Sequence, residues 1–103
     1  MTDTVLDLGA LLARIEERGS VSDAIVRGVD LRGVDLRGAT FMDVRFEGVT
    51  ADEAALEGAR LLRCTLDGSS FRGARLTAAV LFDCRVLGTS LEAAQLDHAN
   101  LSG

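Results

Sequence analysis

The chain has 103 residues, which is enough for one domain and too few for two independent hydrophobic cores of ordinary size. Hydrophobic residues make up 48% of it and aromatic residues only 4%, so Leu, Val and Ala must fill the core in small, regular spaces. A net charge of −5 without interleaved aromatic side chains disfavours nucleic acid as a direct partner.

The N-terminal segment, residues 1–23, predicts a capping helix with a short lead-in. Thr4 and Asp7 have the spacing of a capping box, and Gly19 is a helix stop. The apolar residues between them share one helical face: Val5, Leu8, Leu12 and Ile15. The pattern predicts a helix over about 4–18 that covers the first coil of the following repeat; a separate partner-binding helix is the alternative.

Targeting and membrane segments are not indicated. The N-terminus begins with acidic residues and lacks the basic region and cleavage motif of a secretory signal. The longest apolar runs are about five residues, as at 78–82, whereas a spanning helix needs roughly twenty. We therefore expect a cytoplasmic protein that does not enter the membrane.

The chain from 24 to 103 repeats every five residues without insertion or deletion, most visibly in VDLRGVDLRG at 29–38. The central position of each unit, called i here, is Leu in ten of the sixteen units and Phe in three. Position i−2 is always small, and nine of the eleven glycines fall at i+2. A period of five matches neither an α-helix nor a simple strand.

The repeat predicts a coil with four short sides, one unit per side, so that 20 residues complete a turn. Positions i and i−2 point inward and i+2 forms a corner. Sides one to four begin with the units centred on Val26, Leu31, Leu36 and Phe41. On side three, position i is an unbroken leucine ladder: Leu36, Leu56, Leu76 and Leu96. Successive coils would stack at about 4.8 Å, the spacing of hydrogen-bonded strands, so buried backbone groups would find partners.

Two irregularities carry structural expectations. The unit at 49–53 has Ala51 at position i, which predicts looser packing in the second coil. One corner column is all glycine and suits type II turns, which need a positive φ: Gly28, Gly48, Gly68 and Gly88. Another lacks glycine and is expected to turn differently: Asp43, Arg63 and Asp83.

The units resemble the pentapeptide-repeat family, whose pattern is A(D/N)LXX. ANLSG at 99–103 and VDLRG at 29–33 match it well, and the resemblance covers 24–103. It implies an all-β solenoid, a right-handed quadrilateral β-helix of about four coils, with the N-terminal α-helix as a cap. The chain then divides into a capping segment, 1–23, and a repeat domain, 24–103.

Reactive side chains are few: one His, two Cys and no Tyr or Lys. His98 falls at an outward corner and is interpreted as solvated. Cys64 and Cys84 share an inward column one coil apart, within disulfide range, but their side chains would run parallel, so we interpret them as buried free thiols. Neither a metal-ligand spacing such as CxxC nor GxxxxGK is present. We expect no enzyme, and no catalytic residue, metal or cofactor.

The fourth side carries the candidate partner surface. Its i+1 column is apolar where the other sides begin with charges, and two further residues would extend the patch: Met42, Leu62 and Phe82, with Val80 and Leu87. A contiguous apolar patch among charges is typical of an interface. We expect an unidentified protein partner, with Phe82 as the anchor; cover by the N-terminal helix and plain exposure are the alternatives.

The last coil carries the candidate dimer interface. Neither a helix nor a polar cap follows its core residues, and bare strand edges invite pairing. We therefore expect a homodimer joined through the C-terminal coil. The interface residues would be Val86, Leu91, Leu96 and Leu101.

The leading functional hypothesis is a non-catalytic protein-binding or scaffolding rod. Some members of the family that the chain resembles protect DNA gyrase from quinolones by mimicking duplex DNA, which is the alternative. Such mimicry needs a continuous acidic face, whereas the repeat has nine Arg against eleven Asp and Glu, and one outward column alternates in sign: Arg32, Asp52, Arg72 and Glu92. Four coils also span only about 19 Å. A structural module or a fragment of a longer rod is a further alternative.

Overall fold

In the computed structural model, which describes residues 4–102, six parallel strands stack in chain order along the molecule. The order is β1-β2-β3-β4-β5-β6, and one helix, α1, lies between the first two strands. The elements are β1 Thr4–Leu6, α1 Leu8–Arg18, β2 Ser20–Arg27, β3 Thr40–Glu47, β4 Arg60–Leu62, β5 Val80–Phe82 and β6 Asn100–Ser102. The predicted β-helical solenoid with an N-terminal helix is confirmed.

The register between neighbouring coils is 20 residues throughout. Phe41 lies beside Leu61, and Leu61 beside Leu81. The other sides keep the same offset through single bridges such as that between Asp35 and Ala55. Their backbone groups bond between coils, as where the N–H of Leu56 donates to the Arg75 carbonyl at 2.8 Å. Four five-residue units therefore complete one turn.

The core is a set of inward columns, as predicted, and its completeness depends on the coil. On side three, Leu36, Leu56 and Leu76 are each 2% exposed, whereas Leu96 in the last coil is 36% exposed. A buried leucine contributes roughly 1.5–3 kcal/mol relative to an exposed one. The first three coils thus carry most of the hydrophobic stabilisation.

The second coil shows how the small residue at its centre is accommodated. Ala51 is fully buried, and its N–H donates to the Ser70 carbonyl at 2.7 Å. Beside it, the Phe46 and Phe71 rings approach edge to face with centroids 6.5 Å apart. The small side chain at this position is therefore as fully enclosed as the larger core residues of the same coil.

Every described corner has a positive φ, with or without glycine, but the corners are not all closed alike. The backbone hydrogen bond from the Ala59 N–H to the Leu56 carbonyl has no counterpart at the Arg63 and Asp83 corners. Gly48 has a φ of 59°, but Asp43, Arg63 and Asp83 also have positive φ values of 55°, 54° and 55°. Such a conformation costs a non-glycine residue roughly 1–2 kcal/mol. Hydrogen bonds between coils offset that cost: the N–H of Arg63 donates to the Phe82 carbonyl at 2.8 Å.

In most units, the small residue at i−2 supplies a hydrogen-bond donor, from its backbone or its side chain, to a carbonyl of the corner before it or of the corner one coil above. On sides three and four, where this column is largely alanine, the backbone N–H of the i−2 residue closes the turn, as from Ala59 to the Leu56 carbonyl at 3.0 Å. On sides one and two, polar side chains in the lower coils each donate to a corner carbonyl 23 residues earlier. These pairs are Cys64 to Phe41, Ser69 to Phe46, Cys84 to Leu61 and Thr89 to Leu66. Hydroxyl and thiol groups thus satisfy buried carbonyls.

The N-terminal segment combines a strand with the predicted helix. Thr4–Leu6 pairs with β2 because Leu6 falls in phase with the repeat, one turn before Val26, and is buried. The helix therefore begins at Leu8, later than predicted, and Asp7 is its N-cap: the carboxylate accepts from the N–H of Ala10 at 2.8 Å.

The other end of the helix lies where the sequence placed it, at Gly19. This residue adopts a φ of 68° and donates its N–H to the Ile15 carbonyl. The strand that follows, β2, begins at Ser20, four residues before the first repeat unit recognised in the sequence, and Val21 is already buried in phase.

Candidate functional site

The apolar column of side four is a continuous outer stripe, formed by Met42, Leu62 and Phe82. Strand register sets Met42 beside Leu62 and Leu62 beside Phe82, with Ser22 and Ser102 at the two ends. Phe82 is 43% exposed, and the other two side chains are half-buried. We call these three residues the apolar stripe.

The structure brings Val80 into this surface and separates Leu87 from it. Val80 lies on the same strand as Phe82, two residues earlier, and is half-buried. Leu87 is 62% exposed but lies at the far end of side one. Arg85, ion-paired with Asp67 at 3.0 Å, stands between Leu87 and the stripe along the chain. The stripe and Val80 therefore form one patch, and Leu87 stands alone.

The N-terminal helix does not cover the stripe. Among the described elements, α1 contacts only β1 and β2. Its fully buried residue, Leu11, packs into the end of the hydrophobic core together with half-buried Leu8, Leu12 and Ile15. The helix closes the top of the first coil and leaves the side face open.

A mostly acidic corner column borders the stripe. Its residues directly follow the stripe column on each strand: Asp23, Asp43, Arg63 and Asp83. Arg63 Nε lies 3.0 Å from Asp43 Oδ1, and this hydrogen bond holds the pKa of Asp43 below its usual range. No ion pair between residues 4 and 102 includes Asp23 or Asp83.

The remaining outer columns contain several ion pairs. Arg27 reaches Glu47 in the next coil at 2.8 Å. Arg72 reaches Glu92 at 3.6 Å, a pair between coils in the column that alternates in sign. Arg32, by contrast, pairs with Asp30 on its own side. The same arrangement recurs at Asp35, whose pKa is lowered to about 2 by hydrogen bonds from Arg37.

The lower face of the last coil exposes the four residues predicted for a dimer interface. Val86 and Leu101 are 42% and 57% exposed, Leu96 is 36% exposed, and Leu91 is half-buried. Three of them, Val86, Leu91 and Leu101, line an open recess of about 190 Å³, and Leu96 is not part of its lining. Its lining is Leu81, Cys84, Val86, Leu91, Leu101 and Ser102.

The two thiols differ in environment. Both cysteines are free, but only Cys64 is buried; Cys84 is half-buried beside the recess, contrary to the expectation that both would be enclosed. The hydrogen bond with Cys84, together with burial, raises the pKa of the Cys64 thiol. Within residues 4–102, no three His, Cys, Asp or Glu side chains lie close enough together to hold a metal ion.

His98 occupies an exposed corner with a φ of 59°, as its place in the repeat predicted. No helix in the described part of the chain has the length and apolar character needed to cross a membrane.

Comparison with known proteins gives one family match and several similar folds. The family model for pentapeptide repeats matches residues 20–50 and 45–83, with eight copies. A trypsin-treated variant of QnrB1, a plasmid-mediated fluoroquinolone resistance protein, has a TM-score of 0.76 at 22% identity, covering 80% of this chain and 43% of that one. This chain thus spans less than half the length of the QnrB1 chain.

Two proteins from Nostoc PCC 7120 have the same fold. The pentapeptide repeat protein alr5209 has a TM-score of 0.56 at 17% identity, covering 100% of this chain and 90% of that one. HetL, involved in heterocyst differentiation regulation, has a TM-score of 0.54 at 24% identity, covering 78% of this chain and 39% of that one. A search of curated proteins finds no match. At these identities the similarity establishes the fold alone.

Proposed function

Because the chain belongs to the pentapeptide-repeat family, we propose that it is a non-catalytic protein-binding or scaffolding module whose rigid coils present a contact surface. The observation that carries the proposal is the apolar stripe together with Val80. At the equivalent i+1 positions of the other three sides, ten of twelve residues are charged. A contiguous apolar patch in such surroundings is typical of a protein interface.

The stripe is also held in place before any partner arrives. Backbone hydrogen bonds between coils set the spacing of its three strands, and the side chains stack on one another from rung to rung. A preorganised surface loses little conformational entropy on binding, so more of the contact energy is available as affinity. Phe82, the most exposed of the three, is the expected anchor because aromatic residues dominate many interfaces.

Photo-crosslinking tests this function. A photoreactive phenylalanine analogue at position 82 should give a discrete protein adduct in source cells, whereas the same analogue at Gln95, an exposed position on side three, should not. Phe82→Glu should abolish capture of the adducted protein, and Gln95→Glu, which adds the same charge elsewhere, should not. Equal capture by wild type and Phe82→Glu would show that the stripe is not the binding surface.

We propose in addition that the 103-residue chain forms a homodimer through the last coil. The support is the exposure of Val86, Leu96 and Leu101, of which Val86 and Leu101 line an apolar recess, since burying such a surface against a second copy would also pair the strand edges. Sedimentation velocity at high micromolar concentration should show a dimer, and Leu101→Arg should give a folded monomer. Phe82→Glu should remain dimeric. A monomeric wild-type chain would contradict the proposal.

Topoisomerase protection is the lower-ranked hypothesis. Ion pairs on the outer columns argue against an acidic duplex mimic, because carboxylates such as Asp35 and Glu47 are neutralised by neighbouring arginines. The likeness to QnrB1 supports a common fold and carries no activity at 22% identity.

A further inference from the structure

We infer that the stripe's partner presents an amphipathic α-helix with a basic flank, lying along the axis of the rod. This inference rests on the proposed function and specifies the chemistry of the partner. It draws on three observations: the axial spacing of the stripe, the absence of free backbone groups on that face, and the charge of the column beside it.

The axial spacing of the stripe suits a helix. Met42 and Phe82 are two coils apart, which corresponds to about 9.6 Å at the strand spacing of about 4.8 Å. Along a helix, apolar residues at i, i+3 or i+4, and i+7 span about 10.5 Å at a rise of 1.5 Å per residue. The two repeats therefore differ by about 1 Å over three contacts, which flexible side chains such as Met42 can absorb.

The backbone of this face cannot add a strand. Strands on side four are already hydrogen-bonded on both edges, since β3 pairs with β2 and β4, and β4 pairs with β3 and β5. Strand addition requires a free sheet edge. A partner at the centre of the stripe must therefore bind through side chains, and an amphipathic helix is the common element that presents a line of apolar side chains in this way.

The flanking charges specify the polar side of that helix. The corner column beside the stripe carries Asp23, Asp43 and Asp83 against one cation, Arg63, which is paired with Asp43. Two carboxylates in this column, Asp23 and Asp83, thus remain without an ion-pair partner among residues 4–102. Lys or Arg on the facing flank of the helix would complement them.

The residues on the opposite border of the stripe determine which flank of the partner helix faces that side. There the i−1 column is not acidic, and its one charge is the exposed Arg60, between half-buried Thr40 and Val80. A basic residue on this side would be repelled, whereas a neutral or acidic one would not. The fitting helix therefore has an apolar stripe, a basic flank towards Asp23 and Asp83, and a neutral or acidic flank towards Arg60.

Synthetic helices test the inference directly. The probe is a stapled peptide of about 16 residues, roughly 24 Å long, with Leu at i, i+4 and i+7 and Arg on one flank. A second peptide keeps the apolar face but carries Glu on that flank, and a third has the scrambled sequence. Fluorescence anisotropy with the full 103-residue chain should show the Arg peptide binding at least about tenfold more tightly than the Glu peptide, with the difference shrinking as salt screens the charges.

Variants of the chain separate apolar from charge recognition. Phe82→Glu should abolish binding of the Arg peptide, and Gln95→Glu should bind it with the affinity of the wild type. The double variant Asp23→Asn and Asp83→Asn keeps residues that tolerate a positive φ, so its fold should be preserved; it should weaken binding of the Arg peptide several-fold and, by removing like-charge repulsion, strengthen binding of the Glu peptide. Equal binding of both peptides, or no effect of the double variant, would overturn the inference.

The outcome is distinguishable from failure of the proposed function. A protein adduct at position 82 combined with no preference for the Arg peptide would uphold a partner surface and overturn the basic helix. Conversely, dissociation of a homodimer by Phe82→Glu would assign the stripe to self-association and overturn the helix inference as well.

Discussion

The third and fourth coils are built from the same five-residue unit but differ in how much of it they bury. Leu76 in the third coil is 2% exposed, and Leu96, directly below it in the fourth, is 36% exposed. Cys64 and Cys84 show the same contrast on side one. In a solenoid each repeat is stabilised by its neighbours. The contribution of an identical residue to the free energy of unfolding therefore differs according to the coils around it.

The largest expected effect is on the side-three leucines. Leu56→Ala should lower the free energy of unfolding by about 2–5 kcal/mol, because it leaves a cavity inside a complete coil. Leu96→Ala should cost less than about 1 kcal/mol, because the side chain is already partly in water. Urea denaturation at protein concentrations where the chain is monomeric would measure both values. Equal losses of stability would contradict the difference in burial between the second and fourth coils.

A smaller effect is expected from the buried thiol. Cys64→Ala should destabilise by about 1–3 kcal/mol, because it removes the Sγ donor that lies 3.3 Å from the Phe41 carbonyl and leaves that acceptor without its donor. Cys64→Ser replaces the donor and should recover much of the loss. Thermal unfolding of the two variants would decide, and an alanine variant at least as stable as the serine variant would show that the thiol acts only by filling space.

Alkylation of the two thiols compares the third and fourth coils in the native chain, without any substitution. Iodoacetamide should label Cys84 in the native chain, since it lies half-buried beside the open recess, and should label Cys64 only after denaturation. Timed quenching and peptide mass spectrometry would give the two rates. Simultaneous labelling of both thiols would mean that the third coil opens as readily as the fourth.

A weak pH dependence is expected from the paired acids of the first coil. The folded pKa of Asp35, about 2, is below its ordinary value of 3.8, so its ion pair with Arg37 stabilises the fold above pH 3.8. That contribution is lost as the pH falls through about 2. Asp35→Asn should flatten the stability profile in this window slightly, because the pair is exposed to solvent. Asp97→Asn, on the last coil, is the matched control.

No effect is expected in a gyrase supercoiling assay with a quinolone. The ion-paired outer columns do not present the continuous acidic face that a duplex mimic requires. Addition of the chain at a stoichiometric amount should therefore leave drug inhibition unchanged. Restored supercoiling would reverse the ranking of the two functional hypotheses.

The sequence alone determined the coil. Every fifth residue is apolar, and four five-residue units per turn bring each of these residues into line with the one 20 positions later. Position i from Val26 to Leu101 and the apolar stripe could both be read from that period. Strong periodicity leaves few alternatives, since a shift of one residue would turn the leucines outward.

The tertiary structure decided what depends on contacts between coils. Thr4–Leu6 became a strand because a register of 20 residues brings it beside Ala24–Val26, and this pairing outweighs the local capping signal. The positive φ of Arg63 is likewise held by a hydrogen bond between coils, from its N–H to the Phe82 carbonyl. Exposure of Cys84 and separation of Leu87 from the stripe also follow from position in three dimensions, which a repeat of identical units does not encode.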